Sequence, residues 1–224
     1  MPDTLTLPIT HGSVTATVYA PAGPSTGTIV LAHGAGADQR HRFMVAVGES
    51  LAAHGLRVAT FNFLYTEQRR RTPDRLPVLE QTWRDVVAQL DGHFPDGRLV
   101  VGGKSMGGRI ASQVLAAPRE TPAWRRVSGL VLLGYPLHPP GRPGQPRTAH
   151  LPGIDVPVLL VQGTRDAFGT REEVEPVFRE LRTRVDFEWV DRGDHSFTVP
   201  RATGRSATEV LDGICARVAA WVEG

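Results

Sequence analysis

The sequence predicts an α/β fold, a mostly parallel, twisted sheet with helices on both faces and an antiparallel hairpin at the N-terminal edge. Three observations predict it. Short apolar runs alternate with amphipathic stretches at the spacing of β-α-β units. The inner runs are continuously apolar, as strands buried on both faces must be, whereas the first two segments alternate apolar and polar positions. Each glycine-rich loop follows an apolar run, at the C-terminal end of a parallel strand, where such sheets collect functional groups. With 224 residues, 41% apolar and 21% charged, the chain has enough material for one domain with its own core, residues 1–224.

The elements follow in order. Leu5 to Ile9 and Ser13 to Tyr19 alternate around His11-Gly12 and read as the hairpin. Pro21 to Gly27 is a turn, and Thr28-Ile29-Val30-Leu31-Ala32 is a buried strand that empties into His33-Gly34-Ala35-Gly36-Ala37-Asp38. Phe43 to His54 is an amphipathic helix stopped by Gly55. Leu56 to Phe61 is the next strand, and a loop from Phe63 to Pro77 carries Arg69-Arg70-Arg71. The helix Val78 to Phe94 places Leu79, Trp83, Val86, Val87 and Leu90 on one stripe. Leu99 to Val101 and Ser105 to Ala117 form a strand and helix joined by glycines, and Leu130 to Leu133 is a further strand. Pro136 to Pro152 is too rich in helix breakers to form a helix. The chain closes with strand Val158–Val161, helix Arg171–Leu181, strand Val185–Val190 and helix Ala207–Val222. Pro176 should bend the first of these helices or delay its start.

Composition narrows the function. A net charge of +2 is too small to imply a nucleic-acid partner, and no apolar run approaches a membrane span. The N-terminal residues lack the basic and apolar regions of a signal peptide, so a cytoplasmic location is expected. One cysteine, Cys215, excludes an internal disulfide framework or a cysteine-based zinc site, and its apolar helical setting reads as a buried, inert thiol. Lys104 is the only lysine, the remaining cations being arginine, a bias that fits a GC-rich genome better than an arginine-specific task.

Gly103-Lys104-Ser105-Met106-Gly107 is a G-x-S-x-G match between strand and helix, the setting of a nucleophile elbow. A P-loop is excluded by spacing: the glycine required five residues before Gly103 is Arg98. A serine nucleophile needs a base and an acid to orient it. His195, after the last strand, is the expected base; His138 and His150 fall in the proline-rich connection. Asp166, following the Val158–Val161 strand, is the expected acid. Asp194 and Asp191 lie too close to His195 in sequence, and Asp155 and Asp186 sit at the wrong strand ends. The amides of Met106 and Ala35 are the expected oxyanion donors, with Gly36 the neighbouring candidate.

Taken together, His-Gly-Ala-Gly-Ala-Asp, Gly-Gly-Lys-Ser-Met-Gly-Gly-Arg, Gly-Thr-Arg-Asp and Gly-Asp-His-Ser-Phe resemble the α/β-hydrolase fold family over nearly the whole chain. More narrowly, Phe61-Asn62-Phe63, Arg70-Arg71-Thr72-Pro73-Asp74-Arg75 and Gly134-Tyr135-Pro136-Leu137-His138-Pro139 resemble a compact dienelactone-hydrolase-like subgroup. That subgroup includes testis-expressed hydrolase-like proteins and a histone acetyltransferase complex subunit. The resemblance implies Ser105 as nucleophile, Asp166 as acid and His195 as base. With the core elements consuming nearly all of the 224 residues, little or no lid is expected. Dienelactone hydrolases carry a cysteine nucleophile, so lactone specificity does not carry over to Ser105.

The expected activity is acyl transfer from a small ester-like substrate to water, with no metal or organic cofactor. Gly36, Asn62, Arg70 and Arg71 are the candidate substrate contacts. The Arg69–Arg71 run reads first as a solvated loop, and its place after a strand end allows a second reading as a receiver of an anionic substrate. Oligomeric state is not encoded in any motif. The rival from another class is a hydrolase-shaped interaction module without catalysis, since fold does not entail function.

Overall fold

A computed structural model describes residues 2–224. Its strands are β1 (Asp3–Ile9), β2 (Gly12–Tyr19), β3 (Thr28–Ala32), β4 (Arg57–Phe61), β5 (Leu99–Lys104), β6 (Val127–Leu133), β7 (Val158–Gly163) and β8 (Val185–Val190). Its helices are α1 (Arg42–Ala53), α2 (Leu64–Glu67), α3 (Leu76–His93), α4 (Met106–Ala116), α5 (Pro122–Arg126), α6 (Arg171–Arg179) and α7 (Ala207–Glu223). The strands form one eight-stranded sheet in the order β1-β2-β4-β3-β5-β6-β7-β8. β1 pairs antiparallel with β2, and β2 with β4; every pairing from β4 onward is parallel.

The continuously apolar strands are explained by the two faces they serve. Along β3, Ile29 and Leu31 enter one core and Val30 and Ala32 the other; along β7, Leu159 and Val161 oppose Val158 and Leu160. On the first face α1 and α7 seat Met44, Val47, Leu51, Ile214, Val218 and Trp221. The second face carries α3 and α4, with the predicted stripe of Leu79, Trp83, Val86, Val87 and Leu90 turned inward. Cys215 lies in the first core, and burial pushes its thiol up to about 11, as an inert core residue requires. Among the described residues no helix is long and apolar enough to cross a membrane.

Several boundaries differ from the sequence expectation. Two short helices, α2 and α5, occupy stretches without a helical period, and β6 begins at Val127, ahead of the predicted Leu130. α6 starts at Arg171 despite Pro176, because the Thr170–Glu173 capping box sets its N-terminus and the helix runs through the proline. The Pro136–Pro152 connection forms no α-helix and ends in a single 3-10 turn at Leu151–Gly153.

Candidate active site

Ser105 sits between the last residue of β5 and the first of α4, with φ 50° and ψ −116°. That conformation is costly for a residue with a side chain, and close packing around the turn holds it. A side chain on Gly103 would run into the Ala32 carbonyl oxygen of the neighbouring strand, and one on Gly107 would come within 2.6 Å of the His33 carbonyl. Only glycine lets β3 and the head of α4 close on the turn. The N–H groups of Met106 and Ala35 make no hydrogen bond among the described residues, so both remain as donors. Gly36 adjoins Ala35 on the same wall of the cleft.

The ends of β5, β7 and β8 bring three side chains into line. His195 Nε2 lies 2.9 Å from Ser105 Oγ, and His195 Nδ1 lies 2.7 Å from Asp166 Oδ2. Asp166 has no exposed surface, and a carboxylate buried this completely must be met by donors. The Phe168 amide donates to Oδ1 at 2.8 Å, and Gln162 Nε2 donates to Oδ2 at 3.0 Å. Gln162, fully buried on β7, also donates to the Gly169 carbonyl and accepts the Tyr135 amide at 2.7 Å. The Phe168 ring covers the imidazole of His195, centroid to centroid 4.2 Å.

Two residues unassigned by sequence reasoning hold the loops. Lys104 Nζ donates to the His195 carbonyl at 2.6 Å, passing over Gly134, where a side chain would lie 2.7 Å from Nζ. Burial lowers its ammonium to about 8, against the opposing pull of Asp166 and Asp194. His33 is completely buried. Its Nδ1–H donates to the Gly34 carbonyl at 2.8 Å, and its Nε2 accepts the Phe63 amide at 3.3 Å, which sets the tautomer and ties the Ala35 loop to the end of β4. Burial lowers the His33 pKa and keeps the ring neutral. Asp194, adjacent to His195, instead holds the loop by accepting the amides of Ser196 and Thr198.

The remaining candidates fall elsewhere. Asn62 accepts the Gln39 amide at 2.9 Å, bracing the Ala35 loop from outside the cleft. Arg70 is bound to Gln68 and Asp74, and Arg71 is exposed; neither lines the cleft. The other two downstream histidines have their own partners, His138 with the Pro139 carbonyl and Glu173, His150 with Ser112. Ser105 and His195 open into a cleft of about 870 Å³. Its walls come from the Ala35 loop, the first turns of α1 and α7, and Pro136 and Arg147 of the proline-rich connection.

This architecture has known counterparts. An α/β serine hydrolase without a lid from Xanthomonas campestris superposes with a TM-score of 0.77 at 18% identity, covering 100% of this chain and 96% of that one. Dienelactone hydrolase from Anabaena variabilis gives 0.73 at 21% identity, covering 99% and 96%. An alpha-beta serine hydrolase homologue from Coxiella burnetii gives 0.75 at 17%, covering 96% of each. At such identities the likeness is one of fold. The family profile described as alpha/beta hydrolase domain matches residues 25–223, from the turn before β3 to the end of α7. The chain therefore belongs to the alpha/beta hydrolase domain family.

Proposed function

We propose that the protein is a serine hydrolase that cleaves a small ester-like substrate through an acyl-enzyme. His195 takes the proton from Ser105 Oγ as the oxygen attacks the acyl carbonyl, and Asp166 holds the imidazole in the required tautomer and steadies its positive charge. The amides of Met106 and Ala35 receive the developing oxyanion without reorganising. His195 then protonates the leaving alcohol, activates a water, and returns the proton to Ser105 as the acid departs. Gln162 positions Asp166, and Lys104 positions the loop of His195.

The observation that carries this reading is the unbroken chain Ser105 Oγ–His195–Asp166, ending on a fully buried carboxylate. The cleft of about 870 Å³ beside Ser105 is of the size that takes a small-molecule ester. The narrower likeness to the testis-expressed hydrolase-like proteins belongs to the same proposal and adds no substrate to it.

A fluorophosphonate probe tests the reading directly. It should label Ser105 in the folded protein, and Ser105→Ala should abolish labelling and lower ester turnover by roughly 10⁴-fold or more. A folded protein that stays unlabelled and cleaves no activated ester would be an interaction module in a hydrolase shape.

A further inference from the structure

The cleft that holds Ser105 is one-signed. Its lining includes Arg42, Lys104, Arg109 and Arg147 and, among the described residues, no aspartate or glutamate. Arg42 is exposed at the rim, and Lys104 is engaged with the His195 carbonyl. Arg109 and Arg147 are both partly buried, and neither forms an ion pair among the described residues. Arg109 reaches one side chain, Gln113, at 3.1 Å, and its Nε is buried without any partner.

The surroundings supply no anion. Burial chiefly, and then the charge of Arg147, lowers the Arg109 pKa, so the two guanidiniums repel one another. Glu80 is the carboxylate that acts on Arg109, and it already faces Arg84 at 3.7 Å. Tyr135, beside both arginines, is kept neutral by burial and gives its hydroxyl hydrogen to the Arg147 carbonyl at 2.6 Å. His150 is held neutral as well, its pKa lowered to about 4 by burial and by Arg109. The backbone of Arg147 is fixed at the cleft, since its amide donates to the Leu137 carbonyl at 2.7 Å while its own carbonyl is held by Tyr135. Two partly buried guanidiniums on one cleft wall, neither with a carboxylate partner among the described residues, are costly to a folded chain and suited to an anion.

We propose that Arg109 and Arg147 form a carboxylate subsite, so that the substrate is an ester carrying a second, free carboxylate. Arg109 stands four residues beyond Ser105, about one turn along α4, and Arg109, Arg147 and Ser105 line the same cleft, so the free carboxylate and the reacting carbonyl are assigned to one short molecule. Half-esters of short dicarboxylic acids are the matching class. The inference rests on the serine hydrolase reading for the cleavage but not for the binding. It also moves anion recognition from the Arg69–Arg71 run to the wall of the cleft.

Monoethyl glutarate and ethyl valerate, compared by kcat/KM, give a ratio that isolates the carboxylate. The wild-type ratio should exceed 10, and Arg109→Gln and Arg147→Gln should each reduce it at least tenfold, while Arg217→Gln, which removes a cation outside the cleft, should shift it less than twofold. A wild-type ratio near one, or an equal fall in Arg217→Gln, overturns the subsite. Calorimetry of glutarate on Ser105→Ala reads binding without turnover. Binding that Arg109→Gln abolishes upholds the subsite even if no ester is cleaved, an outcome that would sink only the esterase reading. No glutarate binding, or tighter binding of inorganic phosphate, overturns it even in a working esterase.

Discussion

A carboxylate with no exposed surface depends on its donors, and Asp166 draws one of them from Gln162, a neutral side chain four residues earlier on β7. Replacing Gln162 by Leu keeps the volume near constant, removes that donor and also leaves the Tyr135 amide unpaired. We expect a loss of about 1–3 kcal/mol of stability and a fall in kcat that exceeds any rise in KM, checked by urea unfolding and steady-state kinetics. Lys104 gives a second prediction at this scale. Its pKa falls from 10.5 in the unfolded chain to about 8 in the fold. Between these values the unfolded chain binds the extra proton, so the lysine's contribution to stability rises with pH, by at most about 1.4 kcal/mol per pH unit. Below pH 8 both states are protonated and the contribution is flat. The stability of the wild type measured relative to Lys104→Met should therefore climb from pH 8 to 10; a difference that stays level across that window would show that Lys104 is not desolvated.

Among the elements, α1 is held by an approach that only its glycine permits. A methyl group on Gly48 would lie 2.6–2.8 Å from ring atoms of Tyr19, buried on β2. Alanine gains about 1 kcal/mol of helix propensity over glycine, but over-packing a rigid ring costs about 1–3 kcal/mol. Gly48→Ala should thus destabilise the protein, a sign opposite to propensity and readable in a denaturant midpoint. This contact was invisible in the sequence, where Gly48 reads only as a small residue inside an amphipathic helix. The long, periodic elements were legible because each carries its own pattern: the stripe of α3, the two-faced strands β3 and β7, the glycines around Ser105. The short helices were not. α2 is held by burying Leu64 and Tyr65, and α5 by Ala123 and Trp124, which are tertiary contacts without a local period. Thr121-Pro122 does supply a cap and a first-turn proline for α5, a signal open to a closer reading. In the site, the loop order pointed to Ser105, Asp166 and His195, which the fold brings within hydrogen-bond reach. Gln162 and His33 could not be found that way, because a buried polar residue inside a strand or at its end looks the same whether it holds a loop or not. Arg70 misled for the converse reason: its partner Asp74 is local, and pairing cannot be read from charge alone.

Across the whole molecule, acid tolerance is set in part by histidines that the fold keeps neutral. His33 is completely buried and His150 half-buried, and in both burial is the first cause of a lowered pKa, to about 4 for His150. In the unfolded chain these rings take up protons near pH 6.5. As pH falls below that value the unfolded state binds protons that the folded state refuses, and stability drops. Carboxylates with lowered pKa, Glu173, Glu175 and Glu209 among them, act in the same direction but in a later window, since their contribution persists until pH falls below about 4.5. The interval from pH 6.5 to 4.5 is where the buried histidines can be separated from these glutamates. His150→Gln keeps a donor for Ser112 and removes the titrating group beside Arg109, so its stability should decline less between pH 6.5 and 4.5 than that of the wild type. Unfolding by urea at half-unit pH steps checks this. Parallel declines for the two proteins would mean that His150 accepts its proton in the fold as readily as in the unfolded chain.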